Sequence, residues 1–377
     1  MPLEPVKVWP FTFEQILEDF IIAPDVLQQC AEFYFSGPGK QILEQAQQII
    51  EDSDITRIVF IGNSFNFFAT HCAKYELETS SEECKYSWKM VELTEFYDYF
   101  LPQEATPNTL YIFISRSGQS RLIARSIEQL HLVNQNPDQI WMITNAASTT
   151  PLQPYCSLLF PMKNPSEIIS GSKSFMNSLL VVFLIAQLFV DKEPWRADVQ
   201  TGVNDLIQNM QNYSQSWDRN TNDILDFMGD DFKNLYIIAR DPSSLSTAYL
   251  GALHAKTFTK ILTEGIYISH FFHGPYQMLN KSKKSGKVKR VRFIVLVGDK
   301  ISDRTELLRL LSLINDRGGE ILLLSNDPQL SQAFSWNQHT YSIDFDSPIP
   351  ALAPIFEFFI LQILLARITQ RRGMLLG

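Results

Sequence analysis

Cysteine is scarce in this chain. Cys30, Cys72, Cys84 and Cys156 lie far apart with no CxxC pair, so neither a zinc site nor a disulfide framework is expected, and a reducing, cytoplasmic compartment fits. The histidines show no HxH or HExxH spacing, which leaves no metal site to expect. Positive charge is in deficit: 32 Lys and Arg against 41 Asp and Glu give a net charge of -9, which disfavours nucleic acid as a partner. The one basic concentration, "KSKKSGKVKRVR" at 281–292, reads as a solvated loop. The start, "MPLEPVKVWPFTFEQ", has neither the basic opening nor the apolar run of a signal peptide, so export is not expected. The most apolar runs, 179–190 and 351–366, fall short of the roughly 20 residues that span a bilayer, and Gln187, Glu357 and Gln362 interrupt them. They read as core or subunit-interface helices, with no membrane partner.

What the 377 residues do contain is a large core: 45% are hydrophobic and 12% aromatic, enough for about two domains. Strand-length apolar runs alternate with segments of helical period, the pattern of a parallel sheet covered by helices on both faces. Strands are expected at 57–62, 109–115, 139–144 and 157–162, and the rhythm returns at 234–239, 292–297, 320–325 and 340–345. Gly62 and Ala239, the ends of the first strand in each half, are too far apart for a solenoid repeat, so a duplicated α/β domain explains the rhythm. The expected division is an N-terminal helical segment (1–50), a first domain (51–192), a helical connection (193–231), a second domain (232–350) and a C-terminal helix (351–377).

The most informative segment is "YIFISRSGQSRLIARSIEQL". A strand runs into Ser-Arg-Ser-Gly-Gln-Ser, and Leu122, Ile123, Ile127 and Leu130 then mark one face of a helix. Hydroxyls and a glycine at the junction of a strand's end and a helix's start suit a phosphate, because the first helical turn carries free N–H groups and the positive end of the dipole. Ser115, Ser117 and Ser120 can donate hydroxyl bonds, Gly118 lets the backbone approach, and Arg116 can add charge-assisted bonds. Simple N-capping by serine is the plainer alternative.

"ISRSGQS" resembles the S-x-S-G-x-[ST] loop of the sugar isomerase (SIS) family of phosphosugar-binding domains. Three further segments agree in order. "IGNSFNFFATHCAKYELE" resembles the family's G-[TS]-S turn, "SEIISGSKSFMNSLLVV" its E-x-x-V-A-S-T-K segment, and "YLGALHAKTFTKILTEGIYISHFFHGPYQML" its second-domain E-G-A-L-K-x-K-E … H-G-P stretch. The double-domain group includes the isomerase half of glucosamine-6-phosphate synthase and the fructosamine-6-phosphate deglycases. The resemblance implies two doubly wound, flavodoxin-like domains in a homodimer with sites at the subunit interface. It also implies a sugar 6-phosphate ligand and no cofactor, with an isomerase or deglycase of a ketose or aminoketose 6-phosphate as the expected enzyme. A non-catalytic phosphosugar sensor is the alternative.

By the same resemblance Ser115, Arg116, Ser117, Gly118 and Ser120 hold the phosphate. Asn63 and Ser64 join from the neighbouring turn, and Ser170 and Ser172 lie near the sugar hydroxyls. His273 matches the histidine that assists ring opening and reaches the partner subunit's site, work that suits a group titrating near neutrality. The family's base position, however, holds Thr257, whose hydroxyl cannot take a proton from carbon at neutral pH, and His254 stands where the family has lysine. Glu264 and Glu167 therefore remain as candidate carboxylate bases. The segment "RITQRRGMLLG" lacks the family's lysine-bearing tail, and Met1-Pro2 offers no cysteine for glutaminase chemistry, which is not expected. Gly298-Asp299-Lys300 occupies the second half's counterpart of the serine loop without an S-x-S-G, so no second phosphate site is expected.

Overall fold

The computed structural model describes residues 11–80, 84–104, 106–132, 139–280, 291–300, 303–334 and 337–373. The basic run at 281–290 lies outside them. The chain divides into two compact units, residues 25–207 and residues 1–24 with 208–377. That division passes through the N-terminal helical segment and through the helix Ala197–Gln215.

The first unit, residues 25–207, is built on five parallel strands: β1 (Arg57–Gly62), β2 (Ser87–Glu92), β3 (Thr109–Ile114), β4 (Ile140–Thr144) and β5 (Leu158–Pro161). Their order is β2-β1-β3-β4-β5, a doubly wound sheet whose connections reverse direction between β1 and β3. Strands β3 and β4 are buried at every position, as continuous apolar runs in a two-faced parallel sheet should be. The helix Lys173–Leu188 is buried along its whole length.

The second unit repeats the plan with β6 (Asn234–Ala239), β7 (Leu262–Tyr267), β8 (Val291–Val297), β9 (Glu320–Ser325) and β10 (Thr340–Asp344), all parallel, in the order β7-β6-β8-β9-β10. Every strand expected from the sequence is present. Two more, β2 and β7, each pair outside the first strand of their sheet. Among the described residues one helical stretch, Pro350–Arg371, is long and apolar enough to cross a membrane, longer than the run at 351–366 suggested. It is 94% buried, because the helix Ala353–Arg371 packs against Leu245–Thr259, Phe13–Ile21 and Trp217–Met228. Its all-round apolar surface thus serves the core of its own unit, not a subunit interface.

Candidate functional site

In the first unit the loops that follow β1 and β3 flank the point where the sheet's connections reverse, the place where open α/β sheets receive ligands. After β3, the Ser115 N–H extends the ladder by donating to the Ile143 carbonyl (2.9 Å), and the chain then turns. Gly118 makes the turn possible: its φ is +60°, and a Cβ there would lie 2.8 Å from the Thr150 side chain, whose hydroxyl donates to the Gly118 carbonyl (2.6 Å). Ser117 Oγ accepts from the Gln119 N–H (3.3 Å) and Ser120 Oγ from the Ile123 N–H (3.4 Å). The capping alternative is therefore realised at Ser120. An oxygen that accepts in this way keeps its own hydrogen, so both hydroxyls can still donate to an anion. Ser117 is exposed, Arg116 and Ser120 are half-buried, and Ser115 is buried.

On the other side, Asn63 and Ser64 are exposed at the start of the helix Phe65–Thr79. Ser64 has φ +50° and ψ -128°, a conformation seldom taken by an L-residue and costing on the order of 1–3 kcal/mol. Asn63 Oδ1 accepts from Asn66 Nδ2 (3.3 Å). Beside this turn, Gly171 (φ +81°) lets the chain pass the Phe65 ring, which a Cβ would meet at 2.8 Å. Ser170 is exposed and Ser172, at the cap of Lys173–Leu188, is fully buried.

Glu167 joins these parts. Its Oε1 accepts from Arg116 Nη1 (2.9 Å), the Gly171 N–H (3.0 Å) and Ser174 Oγ (2.7 Å). Its Oε2 accepts from the Ser174 N–H (2.9 Å) and Ser172 Oγ (3.3 Å). Its side chain is 1% exposed. A carboxylate offers about four lone-pair directions, and five donors leave none for a substrate proton. This geometry corrects the expectation that Glu167 serves as a base: it clasps the serine loop to the start of the next helix.

The other expected residues belong to the second unit. Glu264 is exposed on the edge strand β7 opposite Tyr236, and His273 is exposed at the end of the short helix Ile268–Phe272, its N–H on the His270 carbonyl (3.1 Å). Thr257 donates its hydroxyl to the Leu253 carbonyl of its own helix (3.0 Å), and His254 is buried against Phe258 and Phe358. At the second sheet's reversal point, between β6 and β8, the anion's place is taken by the chain itself. The buried Asp241 carboxylate accepts from the Gly298 N–H (2.8 Å), the Ser244 N–H (3.0 Å), Ser244 Oγ (3.1 Å) and Ser243 Oγ. Ser244 Oγ also lies 2.6 Å from Glu357 Oε1. Burial, and secondarily the Asp241 charge, pushes the Glu357 carboxyl up to about 8.

A cavity of about 780 Å³ between Gln45, Asp52 and Asn108 opens at the opposite, N-terminal ends of the strands and is remote from this chemistry. A smaller one, about 370 Å³, lies against Arg116, Ser117, Asn145, Thr149 and Glu167. Asn145, at the end of β4, went unnoticed in the sequence although an asparagine directly after a strand was the available signal.

Two tandem doubly wound parallel sheets, with a serine-rich loop at the first reversal point, define a double-SIS-domain fold. Solved structures bear this out. The chain is similar to the C-terminal domain of glucosamine-fructose-6-phosphate aminotransferase from Francisella tularensis (TM-score 0.73, 17% identity, 95% of this chain and 96% of that one covered). It is likewise similar to tagatose-6-phosphate ketose/aldose isomerase from Escherichia coli (TM-score 0.69, 13% identity, 98% and 95% covered). No protein-family model matches the sequence, and no curated protein matches it significantly.

Proposed function

We propose that the chain binds a sugar 6-phosphate at the reversal point of its first sheet. Ser115, Arg116, Ser117, Gly118 and Ser120 take the phosphate, and Asn63, Ser64, Ser170 and Ser172 line the sugar side. The observation that carries this reading is the serine loop itself, with two hydroxyls free to donate and Arg116 held beside them by Glu167. The reaction proposed is that of a ketose–aldose isomerase or a fructosamine-6-phosphate deglycase, in keeping with the isomerase activity named for one similar structure. Glu264 is then the carboxylate left to move a proton at carbon, and His273 the group that assists ring opening. Both are exposed and lie on the second unit. A homodimer in which His273 completes the partner's site accords with the exposed Leu253 and Leu262, which share the 250–279 stretch with it. A reducing, cytoplasmic setting belongs to the same reading.

A second reading, a phosphosugar sensor without turnover, is favoured by the saturated Glu167 carboxylate and by Thr257, whose hydroxyl is spent on its own helix. The test begins with calorimetry on hexose 6-phosphates and fructosamine 6-phosphates. Binding should weaken about ten- to hundred-fold in Ser117→Ala, the loss of one hydrogen bond to a charged group. Unchanged affinity in that variant would remove the site. Solvent deuterium exchange at C1 of a bound ketose phosphate, lost in Glu264→Gln, supports the enzyme; binding without exchange or product leaves the sensor.

A further inference from the structure

The cavity beside the serine loop adjoins a second, of about 480 Å³, and the two share Asn145, Asn164 and Pro165. Lys163 lines the second cavity, two residues beyond the end of β5, with φ at +53°. Lysine has no intrinsic reason to take this left-handed backbone, and such outliers persist where surrounding contacts impose them. Here the contact is reciprocal: the Asn164 N–H donates to Asn145 Oδ1 (2.7 Å), and Asn145 Nδ2 donates to the Asn164 carbonyl. The clip fixes the lysine at the cavity wall. Its ammonium lies 4.9 Å from the centre of the Phe33 ring, another wall residue, and among the described residues it forms no ion pair. Arg116 and Glu167 neutralise each other at the far end, so the uncompensated positive charge of the double cavity is that of Lys163.

Asn164 adds an independent observation. It is 6% exposed and lines both cavities; its Nδ2 donates to the Pro165 carbonyl (2.9 Å), while its buried Oδ1 has no partner among the described residues. A buried acceptor without a donor is costly, and a ligand hydroxyl or amine reaching it would relieve that cost.

We propose that the second cavity is a subsite for a second anionic group, a carboxylate or another phosphate, carried by the bound sugar phosphate. Lys163 is its counter-ion, and Asn164 Oδ1 accepts a hydroxyl or amine hydrogen next to it. This rests on the phosphosugar reading above and narrows its substrate class to doubly anionic sugars. Calorimetry with fructose 6-phosphate, fructose 1,6-bisphosphate and a 1-deoxyfructosyl amino acid 6-phosphate, the last compared with its neutral carboxamide, tests it. The second anion should tighten binding about tenfold or more. Lys163→Gly, which suits the left-handed backbone, and Lys163→Gln should both erase that gain and leave fructose 6-phosphate affinity unchanged. A gain for the bisphosphate alone identifies a phosphate, and a gain for the amino acid conjugate alone a carboxylate. Fructose 6-phosphate binding with no gain for either, or a gain that survives Lys163→Gly, overturns the subsite alone. Failure of all three ligands to bind overturns the phosphosugar reading with it.

Discussion

At the scale of single residues, carboxylates decide what each half does. Glu167 sits where a catalytic base was expected, yet its five donors turn it into a clasp. Asp241, at the second unit's reversal point, accepts the Gly298 and Ser244 N–H groups. Glu357 shares Ser244 with Asp241. The Ser244 hydroxyl has one hydrogen and two carboxyl neighbours, at 3.1 and 2.6 Å, so a proton on Glu357 allows both bonds at once. With its folded-state value raised to about 8 from the ordinary 4.5, Glu357 contributes stability that is fully present below pH 4.5 and lost as pH rises through 8. Glu357→Gln, a permanent mimic of the neutral acid, should flatten this dependence. It should gain a few kcal/mol over the wild type on going from pH 5 to pH 9, read from urea midpoints at the two values. Parallel pH curves for the two proteins would show that Glu357 does not titrate in this window.

At the scale of elements, turns are where a small change costs most. Gly118 and Gly318 both have positive φ, +60° and +71°, but a Cβ meets Thr150 at 2.8 Å in the first and nothing within 4 Å in the second. Alanine should cost about 1–2 kcal/mol at Gly318 from the backbone alone and more at Gly118, where the Thr150 contact adds to it. Chemical denaturation of the two variants checks the order, and Gly118→Ala should in addition weaken phosphate binding. The strands missed in the sequence are instructive at the same scale. Strand β2, "SWKMVE", buries only Val91, and β7, "LTEGIY", carries an exposed Leu262 and Glu264. Edge strands need a neighbour on one side only, so neither shows the continuous apolar run that marks β3 or β8.

At the scale of the whole molecule, the buried C-terminal helix removes the feature that first suggested self-association, and the exposed Leu262 (72%) and Leu253 (41%) take its place. If the chain pairs through this surface, sedimentation at micromolar concentration should show twice the 43.3 kDa chain mass, and Leu262→Asp should shift the balance toward the single chain. A single-chain species in the wild type would sink the homodimer.

Hydrophobic runs and turn residues act on their immediate neighbours, and so the sequence by itself determined the eight inner and far-edge strands, the duplicated α/β plan and the serine loop, with Ser115, Ser117, Gly118 and Ser120 where a strand meets a helix. Tertiary structure alone decided how Glu167, Asp241, Asn164 and Glu357 are paired. Besides near neighbours in the chain, their partners include distant ones: Arg116 reaches Glu167 across 51 residues, Gly298 reaches Asp241 across 57, and Ser244 reaches Glu357 across 113. A carboxylate or amide paired with a distant backbone N–H or hydroxyl leaves no periodicity in the chain. Only the close approach of folded loops fixes whether such a group is free to do chemistry or already satisfied.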